Sequence, residues 1–62
     1  MQNKIKELRT QLSITQRELA DMVGTSQQQI QRIETGKVAA KLGLAQAISA
    51  VLKKPLNAVF PG

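Results

Sequence analysis

Apolar residues recur along this 62-residue chain at intervals of three and four, and no stretch alternates with a period of two. That spacing marks helices with one buried face and argues against strands. Ile5, Leu8 and Leu12 line one face of a first helix, roughly residues 3 to 12, before Ser13-Ile14 breaks the pattern. Leu19, Ala20 and Val23 set the inward face of a second helix, and Ile30 and Ile33 that of a third. Leu42, Ala45, Ile48 and Leu52 mark a fourth over 41 to 52, with Gly43 weakening its first turn. Pro55 suits the first position of a short fifth helix, 55 to 60, which brings in Leu56, Val59 and Phe60. The expected fold is all-α, a compact five-helix domain spanning 1 to 62.

Local punctuation places the middle helices more closely. Thr15-Gln16-Arg17-Glu18 reads as a capping box, in which Thr15 accepts from the N–H of Glu18 and the Glu18 carboxylate returns to the N–H of Thr15. Ile14 before the cap and Leu19 after it sit at the spacing of a hydrophobic staple. The second helix therefore starts at Gln16 and runs to about Val23, and Gly24 ends it. Ser26 with Gln29 forms a second, weaker capping box, so the third helix spans about 27 to 35 and stops at Gly36. Two short helices joined by a glycine-containing turn form a helix-turn-helix signature.

Composition narrows the function by subtraction. Cysteine and histidine are absent, and the four acids, Glu7, Glu18, Asp21 and Glu34, are scattered. The chain thus lacks the usual metal ligands and the commonest general base, so neither an enzyme nor a metal or other cofactor is expected. Cysteine-free composition suits a cytoplasmic setting. The opening MQNKIKEL has no apolar run for a secretory signal, and LGLAQAISAVL at 42 to 52 is too short to span a membrane. The net charge is +5, and residues 37 to 62 carry Lys37, Lys41, Lys53 and Lys54 with no acid. Such a surface favours polyanions, nucleic acid among them. Lys53 and Lys54 also suit the end of the fourth helix simply by facing its dipole.

The third helix holds the candidate chemistry. At about 100° per residue, the direction set by Ile30 and Ile33 leaves Gln28, Gln31, Arg32 and Thr35 pointing outward, with Gln27 at the side of the first turn. Such a face serves equally as solvent coating. It is also what a major-groove reader needs, because glutamine pairs bidentately with adenine and arginine with guanine. Gln28 and Arg32 are the leading base-contact candidates and Gln27 follows, whereas Gln29 is at least partly occupied at the cap.

The segment ITQRELADMVGTSQQQIQRIETGK resembles the Cro/C1-type helix-turn-helix family, which includes the lambdoid phage repressors and Cro proteins. Thr15-Gln16, Glu18-Leu19-Ala20, Gly24, Ser26, Ile30, Glu34 and Gly36 carry the likeness. Leu8-Arg9 upstream and Ile48, Leu52, Leu56 and Phe60 downstream extend it over nearly the whole chain. The resemblance implies a lambda-repressor-like DNA-binding domain whose third helix reads bases through Gln27, Gln28 and Arg32. It implies phosphate contacts from Gln16 and from Lys37, with Ser26, Thr35 and Lys41 as further candidates for the DNA backbone. It also implies an ion pair between Arg9 and Glu34. Val38-Ala39-Ala40 departs from the family, where this loop is commonly basic and proline-containing.

The function so implied is sequence-specific transcriptional regulation, with repression by promoter occlusion the commonest use. The partner is a double-stranded DNA operator, with no membrane and no small-molecule ligand implied. A domain this small covers little DNA, so a homodimer on a palindromic site is expected, formed in solution or only on DNA. The apolar tail LNAVFPG is the candidate interface, Val59 and Phe60 foremost, unless both close the monomer core. A protein-interaction module of antitoxin type stays open as an alternative. Single-stranded nucleic acid binding is a poor match, because Phe60 is the only aromatic residue.

Overall fold

The computed structural model describes residues 3–61, and in it five helices follow one another: α1 (Ile5–Gln11), α2 (Gln16–Val23), α3 (Gln27–Glu34), α4 (Leu42–Leu52) and α5 (Leu56–Val59). Helix α4 is the longest and packs against α1, α2 and α5, while α3 rests chiefly on α2. Residues from all five helices close one core: Ile5, Leu8, Leu19, Ala20, Ile30, Ile33, Ile48, Leu52 and Val59. Residues 1, 2 and 62, which the expected domain included, lie outside the described residues, as does the last residue of the LNAVFPG tail.

The helix ends share one device. Ser13, Gly24, Gly36 and Lys53 all adopt left-handed conformations, with φ of 58°, 78°, 78° and 59°. In each case the next residue's N–H turns back to a carbonyl five positions earlier: Ile14 to Arg9, Thr25 to Ala20, Lys37 to Arg32 and Lys54 to Ser49. These bonds satisfy carbonyls that the helices would otherwise leave open. Glycine takes the left-handed conformation freely after α2 and after α3, whereas Ser13 and Lys53 adopt it against the strain of a Cβ.

At the N-terminus of α2 the capping box is complete. The Thr15 hydroxyl accepts from Glu18 N–H at 3.0 Å, and Thr15 N–H donates to Glu18 Oε1 at 2.9 Å. The one at α3 is half formed: Ser26 Oγ accepts from Gln29 N–H at 3.1 Å, but the Gln29 side chain makes no return bond.

Several expected burial positions differ. Leu12 ends α1 as its cap and is 44% exposed, because the chain turns at Ser13 before a further helical turn can carry it inward. Leu42 opens α4 beyond the reach of α1 and α2 and is 63% exposed. Leu56 is 38% exposed, and Pro55 lies just outside α5 rather than at its first helical position. Val59 has no exposed surface, so it belongs to the monomer core and is removed from the candidate interface; Phe60 is half-buried against that core. The atypical loop after α3 is also explained by packing, since Val38 and Ala40 cover the core while Lys37 and Ala39 stay exposed.

Two consequences concern stability. Ser13→Gly removes the left-handed strain and should stabilise by about 1 kcal/mol, raising the midpoint of thermal unfolding by roughly 4–8 °C. The bond from Thr15 N–H and, to a lesser degree, that with its hydroxyl hold the Glu18 carboxyl below its ordinary pKa. A lowered folded-state pKa contributes stability above the unfolded-state value and loses it as pH falls through the folded one. Chemical denaturation from about pH 5 to about pH 3 should therefore show a shallower decline for Glu18→Gln than for the unaltered chain.

Candidate nucleic-acid interface

The orientation of α3 follows from its two isoleucines. Ile30 and Ile33 are fully buried against α2 and the core. Their burial turns Gln27, Gln28, Arg32 and Thr35 to solvent, each exposed, with Gln29 and Gln31 half-buried along the flanks. Gln31 was expected to point outward, and its lateral angle lets neighbouring structure cover part of it. Gln27, Gln28 and Arg32 thus share the open side of a helix eight residues long.

The flanks of that face are built from the other candidates. Ser26 is exposed and caps α3 through its hydroxyl. The Thr35 hydroxyl donates to carbonyls of its own helix, Gln31 O at 3.0 Å and Arg32 O at 3.3 Å, so its one proton is engaged. Lys37 follows the left-handed Gly36, and its N–H bond to Arg32 O at 2.9 Å fixes where the loop leaves the helix. Lys41 caps α4 through its backbone with its side chain exposed. Arg32, Lys37 and Lys41 therefore follow one another through α3 and the succeeding loop without an exposed acid among them.

The acid that does lie in this stretch, Glu34, is neutralised inside the fold. Arg9 Nε donates to Glu34 Oε2 at 2.9 Å and Arg9 NH2 to Oε1 at 3.2 Å, a two-pronged pair whose side chains are 11% and 4% exposed. The third guanidinium nitrogen donates to Ile14 O at 3.0 Å. Gln16 adds a bond from its Nε2 to Glu34 Oε1 at 3.0 Å. One carboxylate thereby joins α1, the α1–α2 turn, the first residue of α2 and the end of α3. Gln16 is half-buried by this arrangement, with its amide oxygen left over at the N-terminus of α2.

Asn3 contributes a link that sequence reading missed. Its Nδ2 donates to Ile33 O at 2.7 Å and its Oδ1 accepts from Ile5 N–H at 3.2 Å, so the start of α1 is pinned to α3. Asparagine before a helix signals a cap, but nothing local indicates a carbonyl thirty positions away. The Gln16–Glu34 bond was hidden for the same reason.

Comparison with known proteins places this geometry. The pattern of the helix-turn-helix family matches residues 5–59. The chain belongs to the helix-turn-helix family. An uncharacterized HTH-type transcriptional regulator of Archaeoglobus fulgidus is 37% identical over 60 residues, covering 97% of this chain and 84% of that protein. The P22 c2 repressor, solved in complex with the synthetic operator 9T in the presence of Tl+, superposes with a TM-score of 0.84 at 28% identity. That match covers 87% of this chain and 82% of the repressor chain. Family and fold are those of DNA-binding regulators. Among the described residues, no helix is long and apolar enough to cross a membrane.

The Arg9–Glu34 pair predicts a large single-substitution effect. Glu34→Ala leaves a mostly buried guanidinium without its carboxylate and should cost about 3–5 kcal/mol in urea unfolding. Replacing both partners by apolar residues, Arg9→Met with Glu34→Leu, should recover most of it. A single-variant loss below about 1 kcal/mol would instead be that of a solvent-exposed pair.

Proposed function

We propose that this protein, a DNA-binding transcriptional regulator of the helix-turn-helix family, reads the major groove of duplex DNA with the open face of α3. The observation that carries this reading is the joint exposure of Gln27, Gln28 and Arg32 on one side of a helix whose other side is locked by Ile30 and Ile33. Glutamine offers a donor and an acceptor to adenine N7 and N6, and the arginine fork matches guanine O6 and N7. Lateral residues of the first turn approach base edges when a recognition helix enters end-on, which brings Gln27 into the set.

Affinity comes from the rim. The second N–H of Gln16 Nε2, together with the N–H groups of the first turn of α2, donates to a phosphate. The Gln16 bond to Glu34 fixes the amide before DNA arrives, so little side-chain freedom is lost on binding. Lys37 and Lys41 neutralise phosphates beyond the other end of α3, with Ser26 and Thr35 as lesser backbone contacts; Thr35 must exchange its internal bond to take part. Repression follows if the site overlaps a promoter, and the resemblance to a repressor seen on its operator supports that use. The single domain acts in the cytoplasm, where its operator is, as two copies on a palindrome with half-sites about 34 Å apart.

Selection of duplexes from a random pool by the intact chain tests the reading, with the symmetry of the bound sequences giving half-site spacing. Enrichment of a two-fold symmetric sequence is expected; equal retention of all duplexes would overturn it. Gln28→Ala should relax preference at one position per half-site and cost about 1–3 kcal/mol. Lys37→Ala should lower affinity for every sequence alike and reduce the salt slope by about 1.

A further inference from the structure

The last turn of α3 is held by a bond that lies apart from its buried stripe. The Ile33 carbonyl accepts twice, from Gly36 N–H at 3.1 Å, which closes the turn, and from Asn3 Nδ2 at 2.7 Å. Ile33 stands directly between Arg32, exposed on the open face, and Glu34, whose carboxylate is held by Arg9. A displacement of the Ile33 carbonyl therefore carries Arg32 with it.

Asn3 is itself anchored. Lys4 N–H donates to Val59 O at 2.9 Å, and Val59 is fully buried, so the backbone beside Asn3 is fixed on the end of α5. Asn3 Oδ1 accepts from Ile5 N–H at 3.2 Å, which orients the amide with its nitrogen toward Ile33. The result is a strut from the end of α5, across the start of α1, to α3. Helix α3 rests chiefly on α2, so polar links carry much of its relation to α1. There are two of them, Asn3 on the Ile33 carbonyl and Arg9 on Glu34. Six positions separate Asn3 from Arg9, about 9 Å of helical rise. One such point leaves α3 free to swivel, whereas two set its tilt.

We infer that Asn3 is a positioning residue for base readout, setting through the Ile33 carbonyl the tilt at which Arg32 meets a base edge. The inference rests on the reading of α3 given above. A two-pronged arginine–guanine pair needs both N–H directions satisfied at once, so a tilt error costs it more than it costs a single phosphate contact. Asn3 itself touches no DNA in this role.

The test separates the tether from the start of α1. Asn3→Ser and Asn3→Asp each keep an oxygen for Ile5 N–H but offer no donor that reaches the Ile33 carbonyl. Binding by the intact chain is measured on the duplex it selects and on one changed at the base pair whose preference Arg32→Ala removes. Both variants should lose about two- to tenfold in discrimination at that pair, the range that one hydrogen bond supplies. Affinity for an unrelated duplex and the salt slope should stay unchanged. In an Arg32→Ala background, Asn3→Ser should no longer lower affinity for the selected duplex, because the two residues act in one line. Full discrimination by both variants overturns the inference and leaves the reading of α3 standing. An equal loss on every duplex, an undiminished effect in the Arg32→Ala background, or variants unfolded at the assay temperature also overturns it, since each makes the bond a general structural one. Absence of discrimination by the unaltered chain defeats both the inference and the reading.

Discussion

Burial of Ile30 and Ile33 is the constraint on which the arrangement rests. Helix α3 is eight residues long, too short to hold its shape in water by propensity alone, so packing must supply its stability. With only two large hydrophobes, the helix has one stable rotation about its axis. That rotation fixes the remaining side chains: polar amides and a guanidinium outward, Glu34 inward. The exposed face of α3 is therefore set by what lies on the opposite side of the helix.

Around this seam, polar links set the relative positions of the helices that burial alone would leave loose. Hydrophobic contact is non-directional, and small apolar surfaces slide at little cost. The Glu34 carboxylate accepts from Arg9 and Gln16, and Arg9 reaches on to the Ile14 carbonyl. Asn3 ties α1 to the last turn of α3. These bonds are directional and mostly shielded from solvent. They place the N-terminus of α2 and the open face of α3 in one frame. The Arg9 ion pair and the first residue of α2 are joined through a single carboxylate.

Two surfaces emerge with different chemistry. The α3 side is polar and cationic, its one acid held in the interior pair. The α4–α5 side exposes the apolar Leu42 and Leu56. The loop connecting them, Lys37 to Lys41, serves both: Val38 and Ala40 seal the core beneath it while its lysines face out at either end. Its departure from the family's basic pattern trades loop charge for burial, which suits a core with so few large residues.

The sequence by itself determined the five helices, the capped start of α2, the glycine turn and the outward position of Gln28, Arg32 and Thr35 on α3. All of these follow from interactions within a few residues along the chain, where periodicity, caps and backbone freedom act locally. Residue likeness to a family further implied the Arg9–Glu34 pair. Only the tertiary structure decided that Leu12, Leu42 and Leu56 remain outside the core, that Val59 lies wholly within it, and that Gln31 is half-covered. It alone showed Gln16 bonded to Glu34 and Asn3 bonded to Ile33. Each of these depends on which distant segment arrives next to which face, and a helical stripe indicates which side is apolar without indicating whether a neighbour reaches that far along it.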